Sequence, residues 1–304
     1  MSKELSELLS LFKNREYLIA EKKCFNLIKK IKPNYEIFNI YAVILFELNK
    51  YDEAIKYWKK TTELNPQYHF GYNNLGNVFL KKKNFKEALD CYDKAIKVKP
   101  DYYEAHYNKG HVFTEIKDFK NAVKSFDKVI EIKDDYIPAL KARNKFHIKE
   151  NKLSKALNLL EKLIIYEPDN DNLYVQKAEV LLEMKKYEEA IEYYEMAYKM
   201  NPTNQLLIGN IIDVKMRICD WKNFNHEIKR LEDNILNKKK TIQPFTATTL
   251  FDSPKLLFEV SKIYQPNFKR DENIVSKNHH VDKKKIKLGF YSADFRTHAM
   301  GELM

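Results

Sequence analysis

The sequence predicts an all-α superhelical solenoid of paired helices, with a short α/β segment at its C-terminal end. Three observations predict it. Alanine recurs at residues 20, 54, 88, 122, 156 and 190, every interval being 34. Gly and Pro are scarce, 6 and 9 of 304 residues, which favours long helices and excludes a glycine-cradled phosphate loop over most of the chain. Residues 286–292, IKLGFYS, then turn to a short, apolar, β-rich run.

The period extends beyond alanine. Three residues before each alanine stand Tyr17, Tyr51, Phe85, Phe119, Leu153 and Tyr187; four residues after stand Cys24, Trp58, Tyr92, Phe126, Leu160 and Tyr194. Pro66, Pro100, Pro168 and Pro202 share the register, with Asp134 in one proline's place and Pro33 one residue off. Six units follow: 1–34, 35–68, 69–102, 103–136, 137–170 and 171–204. In each, roughly the first 14 residues carry apolar positions at helical spacing, such as Tyr72, Leu75, Gly76 and Phe79. A polar turn (KKKN, EIKD) leads to a second helix marked by Phe85, Ala88, Tyr92 and Ala95, which proline ends because it cannot continue the hydrogen-bond ladder. Small residues at Gly76, Ala88 and Ala95 let the paired helices approach to roughly 8–10 Å while aromatics fill the gaps. An aromatic stripe in an ordinary helical core would show no fixed period.

The unit resembles the tetratricopeptide repeat. Residues His69–Tyr102 fit its eight usual positions with Tyr72, Leu75, Gly76, Phe79, Ala88, Tyr92, Ala95 and Pro100. Such a solenoid lines a concave groove with its first helices. At the sixth position of a unit stand Asn74, Asn108 and, in a degenerate seventh unit (205–238), Asn210, with Gln176 between. A carboxamide offers donor and acceptor together, so a row of them suits an extended peptide backbone. Asparagines tolerated on a wet face would look the same, and Ser6, Ile40 and Ala142 break the row. Lys141 and Lys145 begin a chaperone-type carboxylate clamp that Gln176 does not sustain.

Charge is the next constraint. Lys+Arg number 54 against 43 Asp+Glu, a net +11, divided between the repeats and the remainder with no dense basic stripe. Only six cations are Arg (15, 143, 217, 230, 270 and 296), whereas phosphate and base recognition favours the planar Arg fork. A solvated helical surface therefore accounts for the charge better than a nucleic-acid face. Cys24, Cys91 and Cys219 are too few and scattered for a disulfide framework or metal site, and no cofactor is expected. No apolar run approaches the ~20 residues that span a bilayer, and the N-terminus has no signal-peptide core, so a cytoplasmic protein is expected.

After the repeats, Trp221 keeps the register once more, but Phe224 stands where alanine belongs, so the solenoid ends or is recapped there. Residues 239–285 read as a connector with one helix, 254–264, opened by Pro254; 237–249 are turn-rich and 265–285 a charged linker in which His279 and His280 are solvated. Residues 286–304 read as the first strand and loop of an open α/β domain, whose ligands bind beyond strand C-termini.

Here a second resemblance enters. KKIKLGFYSADFRTHAMGELM resembles the opening of the catalytic domain in O-GlcNAc transferases and SPINDLY-type enzymes, through Gly289, Ser292, Asp294, Phe295 and His298. Residues Ile218–Trp221, I-C-D-W, and Pro244–Phe245 resemble that family's connector, whereas Glu302 departs where many members carry a second histidine. The resemblance implies a GT-B, Rossmann-like domain and inverting, metal-free transfer of a sugar from UDP-GlcNAc or a related nucleotide-sugar to Ser/Thr hydroxyls. It also implies a protein or peptide acceptor in the groove, with Asn74 and Asn108 on its backbone. His298 would lie beside sugar and acceptor, as proton acceptor or as a residue that orders the loop; imidazole suits the former near neutrality. No nucleotide-sugar-binding lobe is found in the 304 residues, so a truncated, inactive recognition half of such an enzyme is the expectation. The alternative is a stand-alone repeat scaffold that binds peptides or proteins; self-association is left open, and neither nucleic acid nor membrane is an expected partner.

Overall fold

A computed structural model describes residues 3–30 and 34–264. The linker 265–285 with His279 and His280, the strand expected over 286–292 and His298 lie outside the described residues. Those described are helical or in turns. Seven helix pairs follow one another: α1 (Lys3–Lys13) and α2 (Tyr17–Lys30), α3 (Tyr35–Glu47) and α4 (Tyr51–Leu64), α5 (His69–Lys81) and α6 (Phe85–Val98), α7 (Tyr103–Glu115) and α8 (Phe119–Ile132), α9 (Ile137–Lys149) and α10 (Leu153–Tyr166), α11 (Asp171–Glu183) and α12 (Tyr187–Met200), α13 (Leu206–Arg217) and α14 (Phe224–Leu236). Two more, α15 (Pro244–Leu250) and α16 (Pro254–Tyr264), close the described chain.

Packing explains the period. All six alanines of the column are fully buried, and the residues four places on, from Cys24 to Tyr194, are at most 2% exposed. In the third and fourth units the large side chain of that column sits over a glycine of the preceding helix. A Cβ on Gly76 would lie 2.5 Å from the Tyr92 ring, and one on Gly110 would lie 2.7 Å from Phe126. The glycines therefore serve ring contact. Ala42 and Ala178 hold the same place in the second and sixth units, and both are fully buried. The fifth unit differs: Asn144 stands there, opposite Leu160 rather than a ring, and both its amide atoms are buried without a hydrogen bond. Buried amide atoms without partners cost roughly 1–3 kcal/mol each, which makes this unit's core the polar exception.

Each first helix ends in the same way. In the second unit the Asn49 N–H donates to Phe46 O and the Lys50 N–H to Leu45 O, the paired bonds of a Schellman motif with Asn49 left-handed at φ 59. Arg15, Lys83, Lys117, Asn151, Lys185 and Cys219 repeat the positive φ at the same register. Glycine is the usual residue there, so its scarcity means the turns are built from strained Lys and Asn. The second helices need no proline to stop. Helix α8 ends at Ile132, in register with the others, although Asp134 replaces proline, and the Lys133 N–H still donates to Val129 O at 2.8 Å.

A further 34-residue column joins neighbouring units. Lys109, Arg143 and Lys177 pair with Asp93, Asp127 and Glu161 of the helix before, at 2.5, 2.5 and 3.0 Å. The series stops at α13, where Ile211 takes the cation's place.

The seventh pair departs from the others as Phe224 foretold. Two left-handed residues, Cys219 and Asn223, lengthen the turn, and α14 begins at Phe224. Trp221 is left 55% exposed, edge-on to Phe224 at 5.0 Å. Ile208, Ile212, Leu231 and Ile235 instead share a core with Ile242, Ala247, Phe251 and Val260. This corrects the expectation of a connector with one helix. Residues 244–250 form α15, because Pro244 opens it at a position where no N–H is needed and Ala247 is fully buried beneath it. Helix α16 spans Pro254–Tyr264 as the sequence predicts.

Two substitutions test this account with opposite signs. Gly76→Val forces the Tyr92 ring aside and lowers stability by about 1–3 kcal/mol. Lys117→Gly relieves a left-handed turn and raises it by about 0.5–1 kcal/mol. Urea unfolding followed by circular dichroism measures both.

Candidate functional site: a groove of first helices

First helices of neighbouring units lie side by side: α5 contacts α7 directly, past the intervening α6. Their common face is the concave surface of such a solenoid. Along it Asn74 and Asn108 stand in two separate hydrogen-bonded clusters one unit apart, the two rungs of an amide ladder. Asn39 Oδ1 accepts from Trp58 Nε1 at 2.9 Å and from Asn74 Nδ2 at 3.3 Å, while Asn39 Nδ2 donates to Tyr68 OH at 3.3 Å. One unit later, Asn108 Nδ2 donates to Asn73 Oδ1 at 2.9 Å and to Asn77 Oδ1 at 3.0 Å, and Tyr92 OH donates to Asn77 at 2.8 Å. The sixth-position amide thus reaches back to the fifth-position amide of the unit before. The ladder stops where Tyr107 and Ala142 take the next two places. Asn210 does not join it and makes no side-chain hydrogen bond among the described residues. Gln176 folds onto its own helix, donating to Asn172 Oδ1 at 2.7 Å.

Sequence reasoning named Asn74 and Asn108 but missed Asn39, Asn73 and Asn77. The signal was available: Asn39 and Asn73 are 34 apart, each one place before the sixth position of its unit.

Where the ladder stops, a cleft of about 750 Å³ opens between α7 and α9. Its floor is a connected set of rings. Tyr107 lies 5.8 Å from Phe126, Phe126 lies 6.1 Å from Phe146, and Phe146 lies 5.9 Å from Phe119. His111 packs edge-on against Tyr107 at 4.7 Å, and desolvation there holds its pKa below the ordinary imidazole value. The space exists because two side chains are small. Thr114 stands where other units carry Phe46, Leu80, Ile148 or Leu182, and Ala142 stands where they carry Asn74 or Asn108. On the rim, Lys141 is held by Glu167 at 2.6 Å, and this bond and one from Asn170 pull the Glu167 carboxyl below its usual range. Lys145 forms no ion pair among the described residues, and Lys149 Nζ sits 3.6 Å above the Phe119 ring. Lys141 and Lys145 therefore frame this cleft, one neutralised and one not.

The far end of the face is covered. Gly209 occupies the fifth position of the seventh unit, and its N–H, in the unpaired first turn of α13, donates to Thr241 O at 3.1 Å. A Cβ there would lie 2.5 Å from that oxygen, so glycine is required for the crossing. Thr241 and Ile242 are each 1% exposed.

Removal of a ladder amide has a distinct expected cost. Asn108→Ala deletes two hydrogen bonds to partly buried partners and lowers stability by about 1–2 kcal/mol, whereas Asn210→Ala changes it by less than about 0.5 kcal/mol. Equilibrium unfolding of the two variants side by side checks the difference.

Comparison with known proteins follows this geometry. Four family models, described as tetratricopeptide or TPR repeats, match residues 43–83, 70–102, 103–136 and 147–206, together just over half of the chain. Among curated proteins nothing matches the chain by sequence. Solved structures share the fold. The C-terminal part of a TPR repeat-containing protein from Cytophaga hutchinsonii is 18% identical, covers 84% of this chain and 98% of its own, and has a TM-score of 0.61. A tetratricopeptide repeat protein from Parabacteroides merdae is 16% identical, covers 86% and 97%, and has a TM-score of 0.53. YrrB, described as a TPR protein with an unusual peptide-binding site, is 20% identical, covers 61% and 95%, and has a TM-score of 0.51. With its 34-residue pairs and these matches, the chain belongs to the tetratricopeptide-repeat family.

Proposed function

We propose that this protein binds an extended peptide segment along the face of its first helices. The ladder carries the reading. Asn108 commits both Nδ2 hydrogens to Asn73 and Asn77, and Asn74 commits one to Asn39, so the two Oδ1 acceptors and one Asn74 N–H are left for a ligand. Aligned acceptors a unit apart suit the N–H groups of an extended backbone, whatever its side chains. The peptide-binding site ascribed to YrrB shows that this fold supports such a role elsewhere.

The test is selection of displayed random dodecapeptides on the protein 1–304, with affinities by fluorescence anisotropy and sites by photocrosslinking. Crosslinks are expected on α5, α7 and α9, with Asn74→Ala/Asn108→Ala weakening binding at least fivefold while helicity is retained. Crosslinks on the second helices, or undiminished affinity in that variant, would overturn the proposal.

A finer reading is favoured by a separate observation. The I-C-D-W element at 218–221, Pro244–Phe245 and the pattern from Gly289 to His298 stand in the order found in O-GlcNAc transferase-type enzymes. On this reading the groove presents protein acceptors to nucleotide-sugar-dependent transfer onto Ser/Thr, and 1–304 supplies recognition. Selected peptides are then expected to carry Ser or Thr, and 1–304 alone to consume no UDP-GlcNAc. Recovered peptides without either hydroxyl residue, or sugar transfer by 1–304 itself, would sink it.

A further inference from the structure

We propose that the cleft between α7 and α9 selects what the groove binds, taking a bulky apolar side chain from an acidic stretch of peptide. The inference rests on the peptide-binding reading and concerns specificity within it.

Shape comes first. Phe119, Phe126 and Phe146 form one ring-lined floor, and Thr114 and Ala142 leave above it the volume that Leu or Phe and Asn fill in other units. Phe119 keeps 37% of its surface exposed despite this floor, so apolar area remains to be covered.

Charge then narrows the occupant. Lys141 is already neutralised by Glu167, but Lys145 and Lys149 have no carboxylate partner among the described residues. Lys149 lies directly over the Phe119 ring, which places an ammonium beside the spot where an apolar side chain would stack. A carboxylate one or two residues from that side chain would neutralise the rim. A nucleic-acid strand fits less well. It would also stack on rings and meet lysines, but this rim has no Arg fork. Glu179 and Glu183 also occupy the groove positions of α11, the next first helix, where a continuing phosphate backbone would be repelled.

Three labelled dodecapeptides of Gly and Ser test this, with the centres Glu-Asp-Phe-Glu-Asp, Glu-Asp-Ala-Glu-Asp and Lys-Lys-Phe-Lys-Lys. The first is expected to bind 1–304 at least tenfold more tightly than either control, with affinity falling as salt rises. Lys145→Glu/Lys149→Glu should reverse the charge preference. Ala142→Asn, which restores the residue of the third and fourth units, should abolish the advantage of Phe over Ala. If selected library peptides bind in the groove but the three probes bind alike, or the two variants leave the ranking unchanged, the pocket proposal fails and peptide binding stands. If no library peptide binds, the underlying reading fails with it. Displacement of the acidic Phe probe by a twelve-residue oligouridylate at equal affinity would also overturn the proposal, in favour of RNA.

Discussion

The contact on which the structure depends is a large side chain pressed onto a small one in the preceding helix. Tyr92 on Gly76 and Phe126 on Gly110 set how close paired helices come, at distances where one added carbon would collide. Close-packed interiors respond to single methylenes, so this contact holds the paired helices at one spacing. The 34-residue period is its record in sequence. The fifth unit relaxes the rule, with Asn144 over Leu160 and two amide atoms left without partners. In a linear array each unit is stabilised mainly by its neighbours, so such a unit is a soft joint between better-packed ones. The ring-lined cleft lies where this unit meets the fourth, between α7 and α9.

Charge is arranged with the same period. A net +11 read as a total suggests a uniform basic surface, yet the cations are sorted. Lys109, Arg143 and Lys177 are spent on acids of the helix before, linking one unit to the next. On the first-helix face the bands differ in sequence order: amides on α3, α5 and α7, lysines on α9, and glutamates on α11. A ligand lying along that face would meet acceptors, then rings and cations, then carboxylates. Composition averages such an order away.

The paired helices were legible because burial demands a fixed spacing and a sequence preserves spacing directly. Six helix pairs, the disturbance at Phe224 and the helix opened by Pro254 follow from it. The ladder was half legible: a row of Asn at one position is visible, but its partners sit one place earlier in the preceding unit, and only three-dimensional stacking turns a 35-residue separation into a hydrogen bond. The cleft was hidden for a different reason. It is made by Thr114 and Ala142 being small, and a void leaves no residue type to notice. The left-handed turns were hidden because Lys and Asn occupy places usually marked by glycine. Helix α15 was missed because its turn-rich composition, with three threonines, outweighed the single buried Ala247 that anchors it.

The crossing of Thr241 over Gly209 has a consequence for movement along the groove. Asn74 and Asn108 make like rungs one unit apart, so a chain bound as proposed could shift register by one repeat between them. The covered fifth position of the seventh unit would remove one direction of that sliding. A segment advancing past α11 meets backbone already hydrogen-bonded to the helix and must turn out over the edge. On the peptide-binding proposal, the face would be a track with a buffer at one end, and residues laid upon it would be counted from a fixed stop.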